Sequence, residues 1–553
     1  MGDRTERTGA DLLVACLENA GVTVVFGVPG EETTALMVAL DASTIDFVLC
    51  RHEQGAAFMA SVHARLTRTP GVCLSTLGPG ATNLVTGVAD AQLDHVPLIA
   101  ITGQGARRRL GRLSHQMIDL EALFQPVTKF SRTLLSADDI PASFSEAVRQ
   151  SRSGRPGAVH LCLPEDVADM RTDAQVLPNR EVSVGRAELG ALAKAADAIA
   201  AAQNPIIVAG AGVFRDDAVE PLQRFAEATA IPVATTFMAS GLLPPEHPQT
   251  LYTVGQGEDD WIDLALAASD LIVLVGFDAV EYPPTKLLGS DHTRVCVIDS
   301  EPPRADTGLS IAVEVIGGLA HTLSDLRIRL EGRVWQEHSA TQEARAGMQS
   351  ALSAQITEVD AGAVAPPDIC RVISDGLAPE DTVLSGVGAH KLWVARHVLP
   401  QAPGQLIVPN GLAGMGLALP GALAAARLNP DGHVLAVCGD GDVMMNVQEM
   451  ESITRLGLRL TVLVWVDGGL GLIDAHQGTG GPDFPFGNPV WASLATAFGW
   501  SYAHVERLDM LAEALSASRS AEGATLLTIP VDYQAVGHVP RRLSEFSRNR
   551  DVA

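Results

Sequence analysis

Asp440 stands in the tripeptide Gly439-Asp440-Gly441, and a second aspartate follows twenty-seven residues later at Asp467. Residues 434–438 and 460–466 are apolar, β-branched runs, and the stretch 443–456 between them has helical spacing. That pattern predicts one βαβ unit, whose right-handed crossover sets the carboxyl ends of its two parallel strands side by side. Both carboxylates then reach one sheet edge and can share one cation. Mg²⁺ takes hard oxygen ligands in octahedral geometry, usually one or two carboxylates plus the phosphates of a bound molecule. Asp440, Asp467, a backbone carbonyl at Gly469, two phosphate oxygens and a water would complete such a shell. The competing reading is a pair of unrelated strand-end loops, since Gly-Asp-Gly is a common turn.

Other residues offer chemistry of their own. Glu53 follows the strand-like run 47–51 and opens a small, apolar helix start, Gln54-Gly55-Ala56-Ala57-Phe58-Met59-Ala60. A carboxyl group in such a pocket can be held near a neutral pKa and act as an acid, or it can simply favour a helix N-terminus. In Leu77-Gly78-Pro79-Gly80-Ala81-Thr82-Asn83 a glycine turn opens a helix, allowing close backbone approach with free N–H groups. Gly386-Val387-Gly388-Ala389-His390 follows the run 382–385 in the same way. Met415, in Gly411-Leu412-Ala413-Gly414-Met415-Gly416, is either a shaped apolar wedge or a core filler. His115 and Gln116 can orient a substrate and stabilise a developing oxyanion, or be surface and capping residues.

Taken together these motifs resemble the thiamine-diphosphate-dependent 2-oxo acid enzymes, and among them the FAD-independent, catabolic-type acetolactate synthases, from Asp11 to Tyr533. The resemblance implies that Arg51-His52-Glu53 supplies the glutamate that protonates N1′ of the aminopyrimidine. It implies that Gly78, Pro79, Gly80 and Asn83 line the pyrimidine pocket, and that Gly414 and Met415 bend the cofactor. Gly388, Ala389 and His390 would meet the terminal phosphate. Gly439, Asp440, Gly441, Asp442, Asp467, Gly469, Leu470, Gly471 and Leu472 would hold the diphosphate, with Mg²⁺ on Asp440, Asp467 and Gly469. Many relatives carry Asn-Asn where this chain has Val466-Asp467, and the catabolic subgroup shares the aspartate form. His115 and Gln116, in Ser114-His115-Gln116-x-x-Asp119, would face the substrate.

The implied reaction is decarboxylation of pyruvate and addition of the two-carbon unit to a second pyruvate, giving 2-acetolactate. Leu470 and His476 replace a tyrosine and a glutamine usual in the subgroup. They keep open a carboligase with another acceptor, of the carboxyethylarginine synthase type, or a simple 2-oxo acid decarboxylase. A cofactor-binding relative without catalysis is the non-enzyme alternative, disfavoured by the presence of Glu53, Asp440 and Asp467 together. Gly276-Phe277-Asp278-Ala279-Val280-Glu281-Tyr282 matches the FAD-independent form and lacks the arginines of flavin-binding relatives, so no FAD is expected. Gly210-Ala211-Gly212 has only part of a dinucleotide fingerprint. The family places the cofactor between two subunits, which implies a homodimer or homotetramer.

Strand-like runs alternate with amphipathic stretches along the chain, predicting an α/β protein of three doubly wound parallel-sheet domains. The resemblance implies that residues 1–170 are the pyrimidine-binding domain, 182–340 a central Rossmann-like domain and 362–553 the diphosphate-binding domain. Five strands are expected in the first at 24–28, 47–51, 72–76, 98–102 and 158–163, and four in the second at 205–209, 233–235, 271–275 and 295–298. The third has five, at 382–385, 406–408, 434–438, 460–466 and 526–531. Residues 166–181 read as a linker and 334–361 as a helical connector. With 39 basic and 65 acidic residues, a net charge of −26, the chain has no global field for nucleic acid or anionic lipid. Seven scattered cysteines without C-x-x-C spacing, no signal-peptide pattern and no membrane-length apolar run predict a reduced, cytoplasmic protein.

Overall fold

The structure is a computed structural model. It describes residues 7–178, 183–255, 260–282, 284, 294–304, 309–354, 363–477 and 484–533, without the side chains of 475–477. His476, whose side chain carries one of the two departures above, and the end of the stretch 166–181 therefore lie outside the described residues.

Three six-stranded, all-parallel sheets carry the fold. The first runs Asp46–Leu49, Val24–Val28, Gly71–Ser75, Leu98–Gln104, Ala158–Pro164, Phe130–Thr133. The second runs Thr250–Thr253, Val233–Thr235, Pro205–Ala209, Leu271–Val275, Arg294–Asp299, Ile311–Ile316. The third runs Leu406–Ile407, Thr382–Ser385, Val434–Gly439, Thr461–Val466, Thr525–Pro530, Ser501–His504. Strands covered by helices on both faces read as unbroken apolar runs, which is why Leu271–Val275 and Pro205–Ala209 are buried at every position. In the third sheet the strand order reverses between Thr382–Ser385 and Val434–Gly439. In the first it reverses between Val24–Val28 and Gly71–Ser75. Ligands of open α/β sheets bind at the carboxyl ends of strands beside such reversals.

The chain divides into two compact units. One holds residues 1–183 with 411–428 and 444–458, the other 184–410 with 429–443 and 459–553. In the first unit, Val25, Leu74, Ile99, Ile101, Val159 and Leu161 form the centre of the core. Separate clusters lie on the second and third sheets of the other unit.

Two stretches read as connectors are parts of domains. Arg171–Thr172 pairs antiparallel with Arg7–Thr8, and Val167, Ala168, Met170, Ala174 and Val176 pack on the first core, so most of 166–181 is anchored by apolar contacts spaced too irregularly to signal an element. The helix Ser339–Ser353 packs against Trp261–Ala268, where Gly347 leaves room for the Trp261 ring; a Cβ there would lie 2.2 Å from it.

All seven cysteines are buried free thiols, and among the described residues no helix is long and apolar enough to cross a membrane. At Gly210-Ala211-Gly212 the outer N–H groups donate to the carbonyls of Val275 and Gly276, both at 2.9 Å. Gly276 passes so close that a Cβ on Gly212 would stand 2.6 Å from its Cα. These glycines serve backbone packing.

Candidate functional site

The half-site in the first unit grows from the end of Asp46–Leu49. His52 caps the helix Glu53–Thr67 by accepting the Gln54 N–H at 3.1 Å, which puts Glu53 in the first turn with its side chain buried. The Asn83 amide donates to Glu53 Oε2 at 3.0 Å. Asn83 lies on the helix Pro79–Leu93, which Gly78 opens with φ +51 and Pro79 starts at a position where no N–H is needed. Gly80 comes within reach of the other carboxylate oxygen: a Cβ there would lie 3.1 Å from Glu53 Oε1. The structure therefore brings Glu53, Gly80 and Asn83 together around one carboxyl group.

Gln116 belongs beside them. It takes φ +57, rare for a residue with a Cβ, and a Cβ on Gly78 would meet its Cβ and its carbonyl oxygen at 2.9 Å. His115 is exposed and caps no helix; Asp119 caps Leu120–Phe124, while Arg109 holds the His115 carbonyl at 2.9 Å. Met415 is half-buried, and its carbonyl accepts from Gln54 Nε2 at 3.3 Å. Its loop is pinned by Asp94, which accepts the Gly411 N–H at 2.5 Å, and by Asp90, which accepts that of Gly414 at 3.3 Å.

The half-site in the second unit is built on three adjacent strand ends. Asp440, 1 % exposed, follows Val434–Gly439; its Oδ1 accepts the Gly441 N–H at 2.9 Å, and its Oδ2 accepts from Gly468 N–H and Asn488 Nδ2, each at 2.8 Å. Asp467 stands beside it at the end of Thr461–Val466, and burial together with the Asp440 charge pushes its carboxyl well above the usual range. Asp442 points the other way: its Oδ1 accepts the Val387 N–H at 2.9 Å, tying the 386–388 turn to the aspartate loop. His390 is buried between the Gly388 and Gly439 turns, and a Cβ on either would lie 3.0 Å from its Nδ1. Burial lowers its pKa to about 3, so the ring is neutral, and its Nε2 has no hydrogen-bond partner among the described residues.

Ala389 is buried at the start of the helix Ala389–His397. Leu470 lies 3.6 Å from where a Cβ on Gly441 would be, and Phe486 approaches the same position at 3.1 Å. Gly471 opens the helix Gly471–Gln477, whose Leu472 packs against the third core. The predicted continuous helix over 443–456 is instead three pieces: Asp440–Val443, a 3₁₀ turn Met444–Asn446, and Glu449–Arg455. The break lets the buried Asn446 amide donate to the Gly416 carbonyl at 2.9 Å.

Three family descriptions match the chain. "Thiamine pyrophosphate enzyme, N-terminal TPP binding domain" covers residues 7–123, the central domain of the same enzymes 192–326, and the C-terminal TPP binding domain 386–529. The chain belongs to the thiamine pyrophosphate enzymes. Its similar proteins include the catabolic acetolactate synthase of Raoultella terrigena, 32 % identical over 95 % of both chains. Acetolactate synthase isozyme 2 large subunit of Escherichia coli (strain K12) is likewise 32 % identical over 95 % of each. The acetolactate synthase of Bacillus subtilis (strain 168) is 29 % identical over 98 % of this chain and 97 % of that protein.

The residues in the second unit fit a thiamine diphosphate–cation pair. Two adjoining buried carboxylates, with the proton affinity of Asp467 raised by burial and by the Asp440 charge, call for a positive charge. Among the described residues no third His, Cys, Asp or Glu joins them, so a cation there would draw further ligands from a bound molecule. A neutral buried imidazole with an unpartnered Nε2 is suited to a phosphate oxygen.

Asn488 and Glu449 are site residues that sequence reasoning missed. Asn488 holds Asp440 from 48 positions away, and Glu449 holds the backbone beside Glu53 from nearly 400. Neither lies in a spacing that announces chemistry.

Proposed function

We propose that this chain is a carboligase that releases CO₂ from pyruvate and joins the remaining two-carbon unit to a second pyruvate, forming 2-acetolactate. The observation that carries the reading is the Glu53 carboxyl group, buried, gripped on one oxygen by Asn83 and left uncovered on the other by Gly80. Bound thiamine diphosphate supplies the carbanion chemistry, stabilising the electron pair released as CO₂ departs. Glu53 holds a proton at the aminopyrimidine, and Asn83 keeps Oε2 turned so that Oε1 carries it. Asp440, Asp467 and the Gly469 carbonyl would hold Mg²⁺, His390 would meet phosphate, and Met415 would pack against the cofactor. Gln116 and His115 orient the 2-oxo acid.

Flavin plays no part in this reading. Its omission rests on the lack of arginines in the stretch 276–282, whose Glu281 carboxylate is taken up by Ala211 N–H at 3.4 Å, Met238 N–H at 2.7 Å and the Thr236 hydroxyl. The functional molecule pairs the pyrimidine-side residues of one copy with the diphosphate-side residues of another, in a dimer or tetramer. Leu470 favours a second reading, with a different acceptor or simple decarboxylation, because an apolar side chain beside Gly441 offers no hydrogen bond to select pyruvate.

The deciding experiment incubates the purified protein with thiamine diphosphate, Mg²⁺ and pyruvate alone and identifies products by mass spectrometry. Acetolactate is expected. Acetaldehyde alone, or turnover only when another acceptor is added, replaces this reading with the second.

A further inference from the structure

Glu449 is fully buried beside the backbone that leads into Glu53. Its Oε1 accepts the N–H groups of Arg51 at 3.1 Å and His52 at 3.0 Å, and its Oε2 accepts from Arg51 N–H at 3.3 Å and the Ser452 hydroxyl at 2.7 Å. Gly55 makes the approach possible, because a Cβ there would lie 2.8 Å from Oε1. Burying a carboxylate is costly unless it is fully hydrogen-bonded, so this placement calls for a return beyond filling space. The two N–H groups it holds are those immediately before Glu53, on the turn between the strand Asp46–Leu49 and the helix Glu53–Thr67. That turn has no ladder or helix partner for them, and their orientation sets the angle at which the helix leaves the strand.

We propose that Glu449 is the positioning residue for Glu53, its carboxylate clamping the Arg51 and His52 amides so that the Glu53 side chain is delivered to Asn83 and the cofactor ring at a fixed angle. The proposal rests on Glu53 being the proton-holding group. Glu53 is located by Asn83 at the tip of its side chain and by Glu449 at the root of its backbone. Losing the second constraint frees the helix start while leaving the Asn83 contact able to re-form in several geometries. Misplacement on the scale of an ångström is enough to cost about 100-fold in a geometry-dependent step.

The test follows hydrogen–deuterium exchange at C2 of bound thiamine diphosphate by quenched-flow NMR, with Mg²⁺ present, alongside backbone amide exchange of the cofactor-free protein across residues 50–54. Four proteins are compared: the natural chain, Glu449→Ala, Glu449→Gln and Glu53→Gln. Glu449→Ala is expected to slow C2 exchange by about 10- to 100-fold and to speed amide exchange at 50–54, with cofactor affinity within about threefold of the natural chain. Glu449→Gln, which keeps an accepting oxygen at the same reach, is expected to recover most of both. Natural C2 exchange in Glu449→Ala overturns the proposal, and so does equal slowing by Glu449→Gln and Glu449→Ala. If Glu449→Ala does not fold, Glu449→Asp is read in its place: it keeps the charge but withdraws the oxygens by one methylene, and an unslowed rate overturns the proposal equally. Glu53→Gln separates the two levels of inference. Slow exchange in Glu53→Gln with natural exchange in the Glu449 variants rejects only the clamp, whereas natural exchange in Glu53→Gln rejects the role of Glu53 itself.

Discussion

Asn488 shows how a single amide can decide the geometry of the proposed cation site. Asp440 receives three donors, from Gly441, Gly468 and Asn488, which fix the plane of its carboxylate before any ion arrives. The two backbone donors are insensitive to side-chain substitution, so Asn488 is the contact that mutation can remove. Partners of metal ligands typically contribute about 10- to 100-fold to metal affinity. Asn488→Ala is accordingly expected to weaken Mn²⁺ binding by about tenfold in the presence of thiamine diphosphate, read by electron paramagnetic resonance titration. Its cofactor-free unfolding midpoint should barely move. Unchanged Mn²⁺ affinity would remove Asn488 from the site. Asp440 and Asp467 were readable in the sequence because a βαβ crossover fixes where two strand ends go. Asn488 was not, since it reaches Asp440 through a returning loop whose Phe486 N–H donates to the Gly468 carbonyl at 3.1 Å, a closure that no local pattern encodes. Glu449 was hidden for the same reason.

At the scale of elements, sequence patterning found every central strand of the three six-stranded sheets and the edge strands Asp46–Leu49 and Leu406–Ile407, and the strands it missed in those sheets are all at edges. Phe130–Thr133, Thr250–Thr253, Ile311–Ile316 and Ser501–His504 each close one side of a sheet. An edge strand is covered less completely, so only Val315 of Ile311–Ile316 is fully buried and Ser501–His504 has no fully buried residue. Their apolar runs are too short or too interrupted to stand out from loops. The loop after Leu271–Val275 presents a different case, a buried acid whose environment works against its charge. Glu281 receives three donors, yet burial outweighs them and pushes its pKa from 4.5 up to about 7. The unfolded chain releases this proton near pH 4.5 while the folded chain keeps it to about 7, so across that window the folded state binds more protons and stability falls as pH rises. Glu281→Gln cannot titrate. Relative to the natural chain it should gain stability between pH 5 and pH 8, on the order of 2 kcal/mol. Urea unfolding at the two pH values checks this, and a constant difference between the proteins would mean that the burial is relieved in solution.

At the scale of the whole molecule, the proposed chemistry is divided between two compact units, with Glu53 in one and Asp440 and Asp467 in the other. Large apolar side chains stand exposed in both, Leu412, Met444 and Met445 in the first and Ile473 and Phe484 in the second. Methionine and aromatic residues left on a surface are the types enriched where protein partners meet. A symmetric dimer that pairs the pyrimidine side of one copy with the diphosphate side of the other makes a quantitative prediction, because a defect in Glu53 and a defect in Asp440 then damage different contributions to a shared site. Glu53→Gln and Asp440→Ala should each be inactive when produced alone. Co-expressed in equal amounts, they assemble at random, and about half the dimers contain one chain of each kind. In those, one site draws the intact Glu53 and the intact Asp440 from different chains, and the other site receives both defects. Activity per chain should therefore return to about one quarter of the natural value. If each chain builds its site alone, every site in the mixture carries one defect and nothing returns. The outcome distinguishes the two arrangements without a structure of the assembly, and sedimentation of the same samples shows whether the recovered activity travels with a dimer or a tetramer.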